Sequence, residues 1–197
     1  MKCVLVHGSP RKQGNSSSLA AMLADCLRGA EVSHRHLADL DYSGCLGCMS
    51  CRKKSEICVL QDGISTLLRE EIPAADVLVI AAPVYLDYVS GQAKLFMDRF
   101  FAYLSPEYFR QTDPNKKPVN SRLPEGKTGV FILTQGQPEG RYGYITEMME
   151  TFLRKMGFTY RHYLRGCLLN SSRDIQARPD LREQAGALAR LLNERYP

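Results

Sequence analysis

Nowhere does the chain hold an apolar run near the ~18–20 residues that cross a bilayer. Its opening, Met-Lys-Cys-Val-Leu-Val-His-Gly, is too short and too quickly polar for a secretory leader. A cytoplasmic protein without a membrane partner is therefore expected. Heptads, longer repeats and low-complexity tracts are missing as well, which excludes a solenoid. Long blocks of like charge are also missing. The net +5 is made of scattered Lys and Arg, so no nucleic-acid partner is expected. That surplus implies at most a mild preference for phosphate-bearing cofactors or acidic partners.

What is present suits a single domain over residues 1–197, at 44% hydrophobic and 24% charged with no shift in composition. Lys2 to His7 reads as a buried strand, followed at once by a Gly-rich turn. Leu19, Met22, Leu23, Cys26 and Leu27 recur at helical spacing, with Gly29 as a stop. Glu31 to Leu37 reads as a weaker strand. Asp62 is placed to cap a helix running to Glu71. Val77 to Ala82 is an unbroken apolar strand closed by Pro83, the pattern of a sheet covered on both faces. A helix with Ala93, Phe96, Met97 and Phe100 inward follows, then an irregular excursion at 105–126. Thr128 to Thr134, a helix over 139–156, a strand near 159–164 and a final helix complete the order. Strand and helix alternate five times. That predicts an α/β, flavodoxin-like doubly wound sheet of five parallel strands, order 2-1-3-4-5, with helices on both faces.

In such sheets ligands sit beyond the carboxyl ends of the strands, at the switch between strands one and three. The first loop there reads Gly8-Ser9-Pro10-Arg11-Lys12-Gln13-Gly14-Asn15-Ser16-Ser17-Ser18. Hydroxyls, an amide, cations and the N–H groups of a helix start are the parts of a phosphate cradle. One of Asn15, Ser16 and Ser17 is expected to serve as an N-cap instead. The Gly-Lys-Ser/Thr ending of Walker A is lacking, as are Gly-x-Gly-x-x-Gly, the acidic residues of a receiver domain, and Cys-x5-Arg. A single phosphate on a mononucleotide remains. Ala82-Pro83-Val84-Tyr85 and Thr134-Gln135-Gly136-Gln137 fall on the same edge. An aromatic ring, backbone amides and a side-chain amide there suit a flat heterocycle.

Gly8-Ser9-Pro10-Arg11 with Gly14-Asn15-Ser16, then Ala82-Pro83-Val84-Tyr85, then Ala93-Lys94-Leu95-Phe96-Met97-Asp98-Arg99, resembles the NAD(P)H-dependent FMN reductases. Within them the chain is most similar to the iron–sulfur flavoproteins. The resemblance covers most of the first 137 residues. It implies FMN, bound without a covalent link. The phosphate would lie at Ser9, Arg11, Asn15, Ser16 and Ser17, and the ring against Pro83, Val84, Tyr85, Thr134, Gln135 and Gly136. It also implies a homo-oligomer.

Four of seven cysteines crowd into the loop at 44–62: Cys45, Cys48, Cys51 and Cys58. This Cys-x2-Cys-x2-Cys-x6-Cys run matches the loop that resemblance assigns to a [4Fe–4S] cluster. Close x2 spacing lets a short loop wrap three thiolates around one cluster face while the fourth arrives on a longer arm. Paired zinc knuckles need wider separation. Cluster-free reductases similar to this family keep a comparable loop as structure, and only one acid, Asp62, follows Cys58 where the family often has two. Arg52, Lys53 and Lys54 place positive charge in the loop, which suits either an acidic donor such as a ferredoxin or simply a solvated loop. Cys3, Cys26 and Cys167 are expected in the core, and no role falls to any histidine.

Three functions stay open. The first is an electron relay between a [4Fe–4S] cluster and FMN. The second is a cluster-free reductase passing electrons from NAD(P)H to flavin, quinone or another small-molecule acceptor. The third is a non-catalytic redox sensor. Flavin carries the hard chemistry in the first two, so no protein acid or base is named.

Overall fold

The computed structural model describes residues 1–53, 58–111, 121–172 and 174–197. Strands β1 (Lys2–His7), β2 (Glu31–His36), β3 (Val77–Tyr85), β5 (Thr128–Thr134) and β6 (Tyr160–Gly166) form a parallel sheet in the order β2-β1-β3-β5-β6. This is the expected flavodoxin-like order. The two-residue β4 (Tyr88–Val89) pairs antiparallel with the end of β3.

Alternation along each strand feeds two separate cores. Cys3, Leu5, Val79 and Ile132 face α1 (Asn15–Asp25) and α7 (Pro179–Arg195), whose Leu19, Leu23, Leu181 and Leu192 are buried with them. Val4, Val6, Ile80 and Phe131 face the other way. They pack on a helix at 65–74 (α3), on α4 (Gly91–Arg99) and on α6 (Gly143–Lys155). Phe96 and Phe100 are fully buried there and meet edge to face, 5.0 Å apart. Truncating either to Ala would cost about 3–5 kcal/mol.

Several boundaries differ from the sequence expectation. Strand β3 does not stop before Pro83 but runs through it to Tyr85. Its ladder with β1 ends at Ala81, while pairing to β5 continues to Pro83 and Thr134. Proline is tolerated because no β1 residue lies beside it to receive a donor. α6 begins at Gly143 rather than 139, since Tyr142 holds a left-handed φ of 65°. α3 starts later than Asp62, whose carboxylate accepts from Ile64 N–H and the Ser65 hydroxyl as a helix-start cap. A widened turn at Leu67–Glu71 follows, just before Pro73, which has no N–H to give. Cys26 lies at the C-cap of α1 and is exposed, unlike the core position expected, whereas Cys3 is buried. The excursion carries a short α5 (Pro106–Arg110), capped by Ser105. Its residues 112–120 lie outside the described ones. The four-residue α2 (Ser50–Lys53) sits within the cysteine loop. Among the described residues, no helix is long and apolar enough to cross a membrane.

Candidate functional site

Loops after β1, β3 and β5 meet on one edge of the sheet. Gly8 N–H donates to Ala81 C=O at 2.8 Å, and the Ser90 hydroxyl donates to Gly8 C=O at 2.5 Å. A Cβ on Gly8 would stand 2.8 Å from the Ala93 Cβ, so only glycine lets β1 close onto α4. Ser90 also caps α4 by accepting from Ala93 N–H.

The Ser9–Gly14 loop leads into the start of α1. Gly14 is the N-cap, and it offers no side chain to the first-turn N–H groups. Asn15, Ser16 and Ser17 therefore lie inside the helix instead of capping it. With no acid in that first turn, the helix end stays receptive to an anion. Ser9, Asn15, Ser16 and Ser17 are buried, and Arg11 is exposed at the rim. The Ser9 hydroxyl accepts from Arg11 N–H at 3.1 Å, which curls the loop. Asn15 has a second duty that the sequence did not reveal. Its amide donates to Ser171 C=O at 2.8 Å and accepts from Ile175 N–H at 3.3 Å, tying α1 to the segment after β6.

Pro83 and Thr134 are register partners across β3 and β5, and both are buried. Val84 is half-buried and Tyr85 is open to solvent. A hairpin turn beyond them places Leu86 and Asp87 at φ of 44° and 63°. The Tyr144 hydroxyl holds this turn by donating to Asp87 C=O. Gln135 is buried with its amide spent inside the protein. It donates to Gln137 and Pro138 C=O and accepts from Arg165. Its backbone is engaged too, the N–H donating to Gly166 C=O at 2.9 Å and the C=O accepting from Leu169 N–H at 3.0 Å, so Gln135 shapes the loop. A Cβ on Gly136 would lie 2.4 Å from Asn170 Oδ1, so that exposed side chain would have to shift to admit one.

The four loop cysteines, all free, line one cavity of about 320 Å³, walled also by Met49, Leu60, Arg99 and Phe101. As they stand, they do not close on a common centre: among the described residues no three His, Cys, Asp or Glu form a metal-holding group. Ser50, through its N–H and hydroxyl, holds the Cys48 thiol below its ordinary pKa. Burial pushes Cys51 up, with Cys58 adding to it and Arg122 opposing. Arginines grip the loop backbone: Arg122 donates to Cys51 C=O at 2.7 Å and Arg69 to Cys58 C=O at 2.6 Å. Arg52 stacks over Phe109 at 4.1 Å. Lys54 and the side chain of Lys53 lie outside the described residues.

Arg99 joins the two stems of this loop. Its NH1 donates to Ser43 C=O at 2.9 Å, before the first cysteine, and to Asp62 Oδ2 at 2.6 Å, after the last. Burial works against its charge, but Asp62 and the facing Cys58 thiol hold the guanidinium above its ordinary value. Burial likewise pulls Asp62 up, and bonds from Arg99, Ser43 and Ile64 outweigh it. Sequence reading missed this clamp. Its signal was a charged residue between the inward Phe96 and Phe100.

A histidine stack was missed too. His7 and His36 are register partners with rings 4.0 Å apart, and His7 Nε2 lies 3.1 Å from His34 Nδ1. Burial first, then the charges of His36 and His34, push His7 down to about 3. No helical spacing reveals the group, because strand register assembles it.

Comparison with known proteins follows the same lines. The family profile of NADPH-dependent FMN reductases matches residues 1–160. An iron–sulfur flavoprotein of Archaeoglobus fulgidus is 38% identical over 157 residues, 77% of this chain and 64% of that protein. An FMN-dependent NADH:quinone oxidoreductase of Shewanella sp. is 31% identical over 184 residues, 86% of this chain and 89% of that one. The chain spans only 51% to 64% of the length of the first iron–sulfur flavoproteins it matches. An NAD(P)H:quinone oxidoreductase from Methanothermobacter marburgensis shares the fold at a TM-score of 0.70 and 16% identity, covering 98% of this chain and 96% of its own.

Proposed function

The chain belongs to the NADPH-dependent FMN reductase family, and from that premise we propose that it is an FMN-dependent oxidoreductase relaying electrons between FMN and a [4Fe–4S] cluster. Ser9, Arg11, Asn15, Ser16 and Ser17 would hold the flavin phosphate. Pro83, Val84, Tyr85, Thr134, Gln135 and Gly136 would flank the ring, and Cys45, Cys48, Cys51 and Cys58 would ligate the cluster. One observation carries the relay: all four free thiols of the loop line a single cavity. By residue type, the loop after β1 suits a phosphate and four thiols in one cavity suit a cluster, although the thiols do not converge on one centre in this structure. The uncapped, acid-free start of α1 suits a dianion. The cysteine cavity adds a buried Arg99 Nε without an acceptor, to which a sulfur-bearing anion is matched.

Bound FMN would supply hydride and one-electron transfer, and the cluster one-electron transfer alone. This chain's residues supply binding and order. Arg11 and the first-turn N–H groups offset the phosphate charge. Gln135, braced by Arg165, fixes the β5 loop so that its backbone keeps one position. The Leu86–Asp87 turn, pinned by Tyr144, holds Tyr85 at the open side.

The donor under this reading is a ferredoxin-type protein or NAD(P)H, the acceptor is a small molecule, and the working form is a homo-oligomer. A second reading drops the cluster and leaves a two-electron NAD(P)H:quinone reductase. It is favoured by thiols that do not converge in this structure and by the Shewanella relative matched along most of its length. Anaerobic assays separate the two. Reduction by ferredoxin with slow NAD(P)H oxidation supports the relay. Fast NAD(P)H turnover on quinone with no ferredoxin response supports the second reading.

A further inference from the structure

We propose that Arg99 is a positioning residue for the cysteine loop, clamping its two stems and giving its free Nε–H and its charge to the sulfur side of the cavity, so that it raises the reduction potential of the cluster. This inference rests on the cluster reading above. Four observations lead to it. Arg99 is 1% exposed and lines the same cavity as the four cysteines. Its NH1 reaches Ser43 C=O on one stem and Asp62 on the other, so one side chain fixes both ends of the loop. A further bond, Gly63 N–H to Asp41 C=O at 2.8 Å, closes the stems just outside the clamp. Lastly, Arg99 Nε is buried without an acceptor, although NH1 beside it has two.

A buried guanidinium N–H left bare is costly, so such a group is normally matched to an acceptor. The thiols of Cys45, Cys48, Cys51 and Cys58 line the cavity that Arg99 also lines, and a thiolate or inorganic sulfur held there would be such an acceptor. Hydrogen bonds to cluster sulfurs and nearby positive charge both favour the reduced, more negative state. Asp62 takes NH1 and NH2 of the same guanidinium and has the opposite influence. Its carboxylate partly cancels the charge that Arg99 brings. Removing each partner should therefore shift the potential in opposite directions, which a purely structural clamp would not do.

The test uses the full chain, reconstituted anaerobically with iron and sulfide, as wild type, Arg99→Gln and Asp62→Asn. Flavin content, iron content and melting temperature are recorded beside the midpoint potential of the cluster. Arg99→Gln is expected to leave about tenfold less cluster reduced at a fixed poise, ~59 mV more negative for a one-electron couple. Asp62→Asn is expected to move it the other way. Loss of iron from Arg99→Gln with flavin and melting temperature retained also supports the clamp. If Arg99→Gln does not fold, Asp62→Asn decides. A raised potential supports the inference, and an unchanged or lowered one overturns it. Wild-type potentials in both variants, or shifts of the same sign, overturn it as well. A wild-type chain that takes up no iron overturns the cluster reading and this inference with it. That result is distinct, because the failure then lies in the unmutated protein.

Discussion

Arg99 donates to Asp62 at 2.6 Å from a site where the arginine is 1% exposed and the carboxylate 16%. Removing one partner of such a pair leaves the other charge in low dielectric. Asp62→Ala should therefore cost about 3 kcal/mol, since Arg99 loses its counter-ion and α3 loses its cap together. Urea unfolding reads this directly, and a loss below ~0.5 kcal/mol would show that solvent takes over the role of Asp62.

Arg11 is exposed in the loop after β1 and carries no part of the core. Arg11→Glu is expected to weaken FMN about tenfold, or ~1.4 kcal/mol, with less effect at high salt. Riboflavin, which has no phosphate, serves as the control and should bind wild type and variant alike. Equal weakening of both ligands would move the phosphate elsewhere.

Asn15 links the start of α1 to the segment after β6 through two hydrogen bonds. Asn15→Ala strips the acceptor from Ile175 N–H, which is buried, and should cost about 2 kcal/mol. Flavin release should quicken in the same variant, because the start of α1 loses its brace. Stability falling with unchanged flavin affinity would confine Asn15 to the scaffold.

His7 gives a pH dependence of definite sign. Unfolded, it takes a proton near its ordinary pKa of about 6.5. Folded, it stays neutral down to about 3. Between those values the unfolded chain binds more protons, so stability falls as pH drops below 6.5, by ~1.4 kcal/mol per pH unit for one group. Melting curves from pH 7.5 to 5 should show this fall, and His7→Asn should flatten it.

Much of the fold was legible because buried parallel strands leave unbroken runs such as Val77 to Ala82, and because helices α1 and α4 keep their apolar spacing. The place of the Gly- and Ser-rich loop, between β1 and α1 on the carboxyl edge of the sheet, was legible for a related reason, since it follows β1 directly. Features that depend on register or on distant partners were not legible. His7 meets His36 only through the pairing of β1 and β2. Asn15 meets Ile175 across 160 residues. The run of β3 through Pro83 depends on where β1 happens to end. Arg99 stood inside a family motif, yet its partners Ser43 and Asp62 lie 56 and 37 residues away.

The central claim is tested by purifying the chain without oxygen and assaying iron, acid-labile sulfide and FMN on one sample alongside its absorption spectrum. The account predicts bound FMN with about four irons and four sulfides per chain, and a broad shoulder that bleaches with dithionite. Clean flavin bands without iron, even after anaerobic reconstitution, would contradict it and make residues 45–58 a structural loop on a two-electron reductase.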